Sequence, residues 1–226
     1  MRPKIIALLP MKGNSERVPK KNLKDFNGAP LYQIILDKLL ESTYIDEVII
    51  NTDCINITKS VQSKYNEKVH IRPRPDDICG DFVSMNKIIE DDLANSNGEI
   101  YIQTHSTNPL LDINSINRAL KKMLRIRTTN DSIFSVTKIQ TRFFDINGKA
   151  INHNSQELVR TQDLPPIFEE NSCFYIFTKK SFKQSGSRRI GLRPLMFEID
   201  KIEAIDIDNI EDFIIAEAVH KSRQLL

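Results

Sequence analysis

Glycine is scarce in this chain: 7 in 226 residues, about 3% where soluble proteins average roughly 7%. Neither glycine-built phosphate cradle, G-x-x-x-x-G-K-[ST] or G-x-G-x-x-G, occurs, which argues against P-loop kinases and dinucleotide-dependent dehydrogenases. Cysteine is equally sparse. Cys54, Cys79 and Cys173 are an odd, widely separated set with no C-x-x-C pair, so neither a disulfide framework nor a zinc knuckle is expected. No apolar stretch approaches the roughly 18 residues of a membrane span, and the run Ile5 to Leu9 is far too short for a signal segment. A cytoplasmic protein without a membrane partner is the expectation. An excess of one charge is missing too: 32 Lys+Arg stand against 30 Asp+Glu, a net +2. That balance supplies no global field for a nucleic-acid backbone or an anionic bilayer, so any anion must be held by a local cluster.

What is present is an ordinary globular composition, 40% hydrophobic and 27% charged, and a chain long enough to bury a core unaided. Strand-length apolar runs alternate with helical patterns, the signature of an α/β protein with a mostly parallel sheet. Strands are predicted at 4–9, 47–51, 99–103, 132–137, 173–177, 196–199 and 204–207. Helices are predicted from Pro30, at 55–65 and 84–93, from a cap at Asp112 to about 125, and at 211–222. The stretch 143–151 (FFDINGKAI) carries Asn147-Gly148, a strong hairpin signal. It lies in an insert at about 138–170 that interrupts the α/β rhythm and reads as a lid or an oligomerisation arm. Residues 1–226 otherwise read as one domain.

In open α/β sheets ligands bind at the carboxyl ends of the strands. The segment after the first strand is the most unusual there. Lys12, Arg17, Lys20, Lys21 and Lys24 crowd one loop that holds a single acid, Glu16. Gly13, Asn14 and Ser15 in the same loop suit backbone N–H exposure. Such a loop just before a helix is suited to a polyphosphate, with side-chain charge in place of glycine; a solvated basic loop is the plain alternative. Near the C-terminus, Asp206 and Asp208 lie two residues apart and project from one face of an extended chain. Asp208-Asn209-Ile210-Glu211 also reads as a helix start. His105 reads as a neutral hydrogen-bonding group before a base. The Arg188, Arg189 and Arg193 cluster reads as a solvated loop before a contact with an anionic substrate.

The segment Leu8-Leu9-Pro10-Met11-Lys12-Gly13-Asn14-Ser15-Glu16-Arg17-Val18-Pro19-Lys20-Lys21-Asn22 resembles the N-terminal signature of the acylneuraminate cytidylyltransferases, or CMP-sialic acid synthetases. Ser15, Pro19, Lys21 and Asn22 fall in register with it. Further matches follow in the family's order: Asn51-Thr52-Asp53; Arg74-Pro75 with Gly80-Asp81 and Ser84; Gln103 to Leu110; Gln162 to Pro165 with Asn171 to Ile176; and Ile205-Asp206-Ile207-Asp208. Departures gather toward the sugar end. Leu111 and Glu169-Glu170 stand where the family has arginine or Arg-Pro, and Arg160 is one residue out of place.

The resemblance implies a three-layer α/β/α mononucleotide-binding fold of the glycosyltransferase-A-like kind, with an extended dimerisation arm. It implies transfer of CMP from CTP to an acidic keto sugar, releasing pyrophosphate. Lys12, Arg17 and Lys21 would neutralise the phosphates, and Leu9, Pro10, Asn22, Arg74 and Ser84 would hold the nucleoside. Gln103, Ser106, Arg160 and Tyr175 would meet the sugar acid, and Asp206 and Asp208 would hold Mg²⁺. The implied assembly is a homodimer with Phe143 or Phe144 at its contact. The rival readings are activation of 3-deoxy-manno-octulosonate or another sugar, and a nucleotide-binding regulator without turnover.

Overall fold

The computed structural model describes residues 2–65, 67–223 and 225. The chain opens with β1 (Ile5–Leu8), a cationic loop and a small hairpin, β2 (Asp25–Phe26) and β3 (Ala29–Pro30). Then come α1 (Leu31–Glu41), β4 (Glu47–Thr52), α2 (Ile55–Lys64), β5 (Val69–Pro73), α3 (Met85–Ala94) and β6 (Ile100–Thr104). The second half holds α4 (Ile113–Ile126), β7 (Ser132–Ile139), β8 (Ile167–Phe177), α5 (Lys179–Gln184), β9 (Pro194–Glu198) and α6 (Ile210–Arg223).

Seven strands form one sheet in the order β5-β4-β1-β6-β8-β7-β9. Neighbours pair in parallel except around β8, which runs against β6 and β7. Central strands of such sheets are buried on both faces and read as unbroken apolar runs, as Ile5 to Leu8 does. The strand's period of two splits its side chains between layers. Ile5 and Ala7 join Ile35 and Leu39 of α1, Ile57 of α2 and Leu120 of α4. Ile6 and Leu8 join Ile89 and Leu93 of α3 and Phe182 of α5 on the other face. The three-layer α/β/α arrangement is therefore as expected. Each fully buried aliphatic side chain contributes roughly 1.5–3 kcal/mol. The predicted cap of α4 is in place: Asp112 Oδ1 accepts from the Asn114 N–H at 2.7 Å.

Three local expectations need correction. Residues 204–207 pair with no strand; the Ile207 side chain instead anchors a separate cluster with Phe26, Leu31 and Phe213. The arm is shorter than expected, because β8 begins at Ile167 and pairs with β7 as far as Ile139. At Asn147-Gly148 the hairpin shrinks to one bridge, Phe144 to Ala150. There Asp145 Oδ1 accepts from the N–H groups of Asn147 (2.9 Å) and Lys149 (2.8 Å), a side-chain turn that competes with strand pairing. The two-residue hairpin occurs instead at Asn27-Gly28, where φ is 53° and 92°, the left-handed pair such a turn requires. It docks on α6 through Asn27 Nδ2, which donates to the Glu217 carbonyl at 2.9 Å.

Candidate active site

The loops leaving β1, β5 and β6 enclose a cleft of about 320 Å³. Its lining includes Pro10, Met11, Lys12, Arg17, Lys21 and Asn22 from the first loop, Arg74 and Asp81 from the second, and His105, Ser106 and Thr107 from the third. The first loop is anchored by its backbone before its charges come into play. Leu9 and Met11 N–H groups donate to the Ile49 and Asn51 carbonyls, both at 2.9 Å. Gly13 N–H donates to Asp53 Oδ1 at 2.7 Å, and a Cβ on Gly13 would stand 2.9 Å from Cys54 Cβ. That close approach requires glycine, and it explains why Asp53 belongs to the pattern.

Arg74 is the bolt of this arrangement. Nearly buried, its guanidinium donates to Met11 O (3.1 Å), Asn51 O (3.0 Å) and Asn51 Oδ1 (2.9 Å). Asn51 in turn donates to Asp92 Oδ1 at 2.8 Å. Asn22 donates to Lys12 O at 3.0 Å and accepts from Ser106 Oγ at 2.7 Å, joining the first loop to the third. Ser84 caps α3, its hydroxyl accepting from the Asn86 N–H. The side chain of Leu9 is wholly buried in the core and its N–H is held by Ile49, so Leu9 does not line the cleft, whose wall starts at Pro10.

The cations are positioned but lightly held. Lys12 pairs with Asp81 at 2.6 Å and Arg17 with Asp208 at 2.7 Å, all four side chains about half exposed. Exposed pairs of this kind hold roughly 0–1 kcal/mol, so a polyphosphate can displace them. Lys21 lies deeper and donates to the Ile207 carbonyl. Burial lowers its pKa, while Asp206 and Asp208 act to raise it. Desolvation raises the Asp206 carboxyl; a Thr107 hydrogen bond opposes this and the Asp208 charge adds to it. The predicted helix start is displaced by one residue. Asn209 is the cap, its Oδ1 accepting from Asp212 N–H at 2.9 Å while Asp212 Oδ2 accepts from Asn209 N–H at 3.0 Å. The Asp208 carboxylate is thereby left to face Arg17. Among the described residues no group of three or more His, Cys, Asp or Glu could hold a metal; Asp206 and Asp208 are a pair.

Residues 6–225 match the family described as Cytidylyltransferase. The chain belongs to the cytidylyltransferase family. Among its relatives is the pseudaminic acid cytidylyltransferase of Campylobacter jejuni, 27% identical over 92% of this chain and 95% of that one. N-acylneuraminate cytidylyltransferase B of Danio rerio is 30% identical over 93% of this chain and 50% of the relative. A solved CMP:2-keto-3-deoxy-manno-octonic acid synthetase in complex with CTP superposes with a TM-score of 0.70, covering 97% of this chain and 99% of that one at 15% identity. The last comparison establishes the fold.

Within this cytidylyltransferase the predicted sugar-side residues divide. Ser106 lines the cleft. Gln103 is fully buried and its amide is fully used, donating to Thr104 O (2.8 Å) and bonding His105 Nε2 (3.0 Å) while accepting from Arg189 (2.7 Å). Its place is behind the site, as a support. Tyr175 is buried, bonds Glu170 and Ser172 through its hydroxyl, and offers its ring to Arg189 at 4.0 Å. Arg160 is not brought to the cleft; it is exposed and clamped on Asp163 at 2.7 Å. His105 is neutral, pushed down to about 4 by burial and then by the charges of Arg189 and Lys21, in keeping with a hydrogen-bonding role. Asp53, Asp81 and Asp92 escaped the sequence reading as site residues. Asp53 and Asp81 were visible only as motif letters, and Asp92 sits on a helix face that reads as polar.

Proposed function

We propose that this cytidylyltransferase activates a nonulosonic acid of the sialic or pseudaminic class with CTP, giving the CMP-sugar and pyrophosphate. The observation that carries the reading is the meeting of Lys12, Arg17 and Lys21 with Asp206 and Asp208 at the end of β1. Relatives that span nearly all of this chain, and that it nearly spans in turn, are named for such acids. The anomeric hydroxyl oxygen forms the new bond to the α-phosphorus as the bond to the β-phosphate oxygen breaks. No protein nucleophile is needed. Lys12, Lys21 and a released Arg17 neutralise charge on the phosphates, and Asn22 and Ser106 fix the loops that position them.

Asp206 and Asp208 suit Mg²⁺, which takes one or two carboxylates and fills its remaining positions with phosphate oxygens and water. Bound there, the ion supplies charge neutralisation and acidifies the attacking hydroxyl. We further propose a C₂ homodimer in the cytoplasm, joined through the arm. In the arm Ile146 is 100% and Leu158 95% exposed, with Phe144 and Ile151 more than half exposed, and apolar surface of this sort marks an interface. The test is a pyrophosphate-release panel: four nucleoside triphosphates against pseudaminate, N-acetylneuraminate, related nonulosonates and 3-deoxy-manno-octulosonate, with and without Mg²⁺. Turnover with CTP and a nine-carbon acid is expected. Tight CTP binding without release from any acid overturns it in favour of a regulator, and release with the octulosonate alone reassigns the acceptor.

A further inference from the structure

The loop leaving β6 has a second face. Its first residues, His105 to Thr107, line the catalytic cleft, but past Asn108 the chain turns away toward α1 and the last turn of α6. There lies a separate cavity of about 270 Å³, whose walls include Lys38 and Glu41 of α1, Leu110 and Asp112, and His220 and Arg223 of α6. Lys38 Nζ donates to the Pro109 and Leu111 carbonyls at 2.6 and 2.8 Å, and Arg223 Nη1 to the Leu110 carbonyl at 3.2 Å. Among the described residues neither cation has a carboxylate within ion-pair distance. Lys38 has therefore placed two of its three N–H donors and Arg223 one of its five. The acids nearby are committed or remote. Asp112 caps α4, Glu203 accepts from Ser115 at 3.0 Å and from the Asp112 N–H at 3.1 Å, and Glu41 is exposed. Burial pushes Lys38 down to about 8 although Asp112, Glu203 and Glu41 oppose the fall, and the Arg223 charge adds to it. His220 is lowered too, by burial and then by Lys38 and Arg223, with Glu217 opposing. Two underpaired charges thus share one cavity and disfavour each other.

We propose that this outer cavity is a binding site for a phosphate group, as free phosphate or on a small ester, distinct from the catalytic cleft. A guanidinium fork and an ammonium point charge are the usual partners of phosphate oxygens. The unplaced N–H donors let the anion enter without breaking the bonds to the three carbonyls. It supplies the counter-charge that the buried ammonium lacks. Leu110 and Ile113 give an apolar wall for the carbon body of an ester. An anion held by Lys38 and Arg223 ties α1 and α6 to the outer part of the loop. At the inner part Ser106 Oγ donates to Asn22 Oδ1 at 2.7 Å, and the Thr107 carbonyl accepts from the Ile207 N–H at 2.9 Å. The brace therefore reaches both the cationic loop and the Asp206–Asp208 segment. Proton linkage sets the sign of the pH dependence. An anion beside Lys38 favours the charged ammonium, so affinity is full below about 8 and falls as pH rises past it.

The experiment titrates inorganic phosphate, and separately glycerol 3-phosphate, into enzyme whose catalytic cleft is filled with CTP in the absence of any sugar acid. Chloride of equal ionic strength is the control. Wild type is expected to bind one phosphate group with a dissociation constant of about 1 mM. Arg223→Gln, at the exposed end of α6, should weaken it about fivefold or more with CTP affinity within about twofold, and Lys38→Met should weaken it further. Between pH 7.5 and 9.5 the wild-type affinity should fall about tenfold, while Lys38→Arg, whose larger head the cavity admits, should stay level. Phosphate should slow amide exchange of residues 104–111 in wild type and not in Arg223→Gln. The tighter of the two probes names the occupant, ester or free phosphate. Absence of binding by both probes up to about 20 mM overturns the site. So does an affinity that Arg223→Gln and Lys38→Met leave unchanged, or one that falls equally with pH in Lys38→Arg. Phosphate that binds only when CTP is left out belongs to the catalytic cleft and likewise overturns it.

Discussion

Two long connections of this protein solve opposite problems. The loop between β1 and β2 carries most of the site's positive charge, yet its backbone is pinned from several sides: by Ile49, Asn51 and Asp53, and by Arg74 from the far end of β5. The arm between β7 and β8 is tied chiefly to itself. Gln140 donates to the Gln162 and Leu164 carbonyls, Asn152 to Thr141 O, and Arg142 to Val159 O, while Phe144, Ile146, Ile151 and Leu158 face outward. A phosphate site gains from donors that need no rearrangement when charge develops. A surface that completes itself on a partner must stay uncovered until the partner arrives. The difference predicts that damage to the first region falls on the nucleotide and damage to the second on the acceptor.

The most severe break of the pinned region is Arg74→Met. It leaves Met11 O, Asn51 O and Asn51 Oδ1 without their donor in a nearly buried place, and a buried polar group left unsatisfied costs about 1–3 kcal/mol. Chemical denaturation is expected to show that loss, and CTP affinity should fall at least tenfold in whatever fraction stays folded. Unchanged CTP binding in a folded Arg74→Met protein would show that Met11 keeps its place without the bolt.

Asp92 extends the same network into the core and makes it sensitive to pH. It is 1% exposed, Oδ1 takes the Asn51 amide at 2.8 Å, and Oδ2 has no partner among the described residues. Burial pushes its carboxyl up to about 7, against the pull of Asn51. Unfolded, the group titrates near ~4. Between those values the folded state keeps a proton that the unfolded chain has released. The stabilisation is therefore complete below ~4 and drains away as pH climbs toward about 7, to an upper bound of about 4 kcal/mol. Wild type is expected to melt about 5 °C lower at pH 8 than at pH 5, and Asp92→Asn to lose most of that slope. Parallel slopes for the two proteins would assign the pH dependence elsewhere.

At the proposed metal site, Asp208→Asn should leave the fold intact, because Asn209 and Asp212 cap α6 without it. Turnover is expected to fall 10- to 100-fold, about 1.4–2.7 kcal/mol, and Mg²⁺ titration should show a weakened requirement, with CTP affinity changed less than kcat. Retention of more than about a tenth of wild-type turnover removes Asp208 from the metal site.

The same contrast explains what was legible in the sequence. The nucleotide end depends on local signals, namely an apolar strand, a run of cations and a D-x-D, and each survives reading one residue at a time. The resemblance offered Arg74 and Gln103 as ligands; their supporting bonds were not legible, because those of Arg74 to Met11 and Asn51 and that of Gln103 to Arg189 join segments distant in sequence. β5 escaped because VHIRP lacks an apolar run, being an edge strand whose side chains are half-exposed. The Asn27-Gly28 hairpin escaped because its strands are two residues each. At 147–148 the same dipeptide misled, since the neighbouring Asp145 offered the backbone a closer partner. Arg189 read as a solvated loop because neither its stacking on Tyr175 nor its bond to Gln103 has any sequence signature.

The smallest expected effect tests the arm. Leu158 is 95% exposed, so Leu158→Asp removes no intramolecular packing, and the melting temperature of the dilute protein should hold within about 2 °C. In the proposed dimer the substitution places a charge in an apolar contact. Light scattering at micromolar concentration should move from twice the chain mass toward 26.0 kDa. The acceptor KM should rise about fivefold, roughly 1 kcal/mol, as expected of an arm that completes the acceptor side of its neighbour in the proposed dimer. CTP affinity should stay within 2-fold. A wild-type particle of 26.0 kDa sinks the dimer outright. A dimer whose Leu158→Asp form loses CTP and acceptor binding together would mean that the two connections are coupled, and that the division between a fixed nucleotide end and a borrowed acceptor end does not hold.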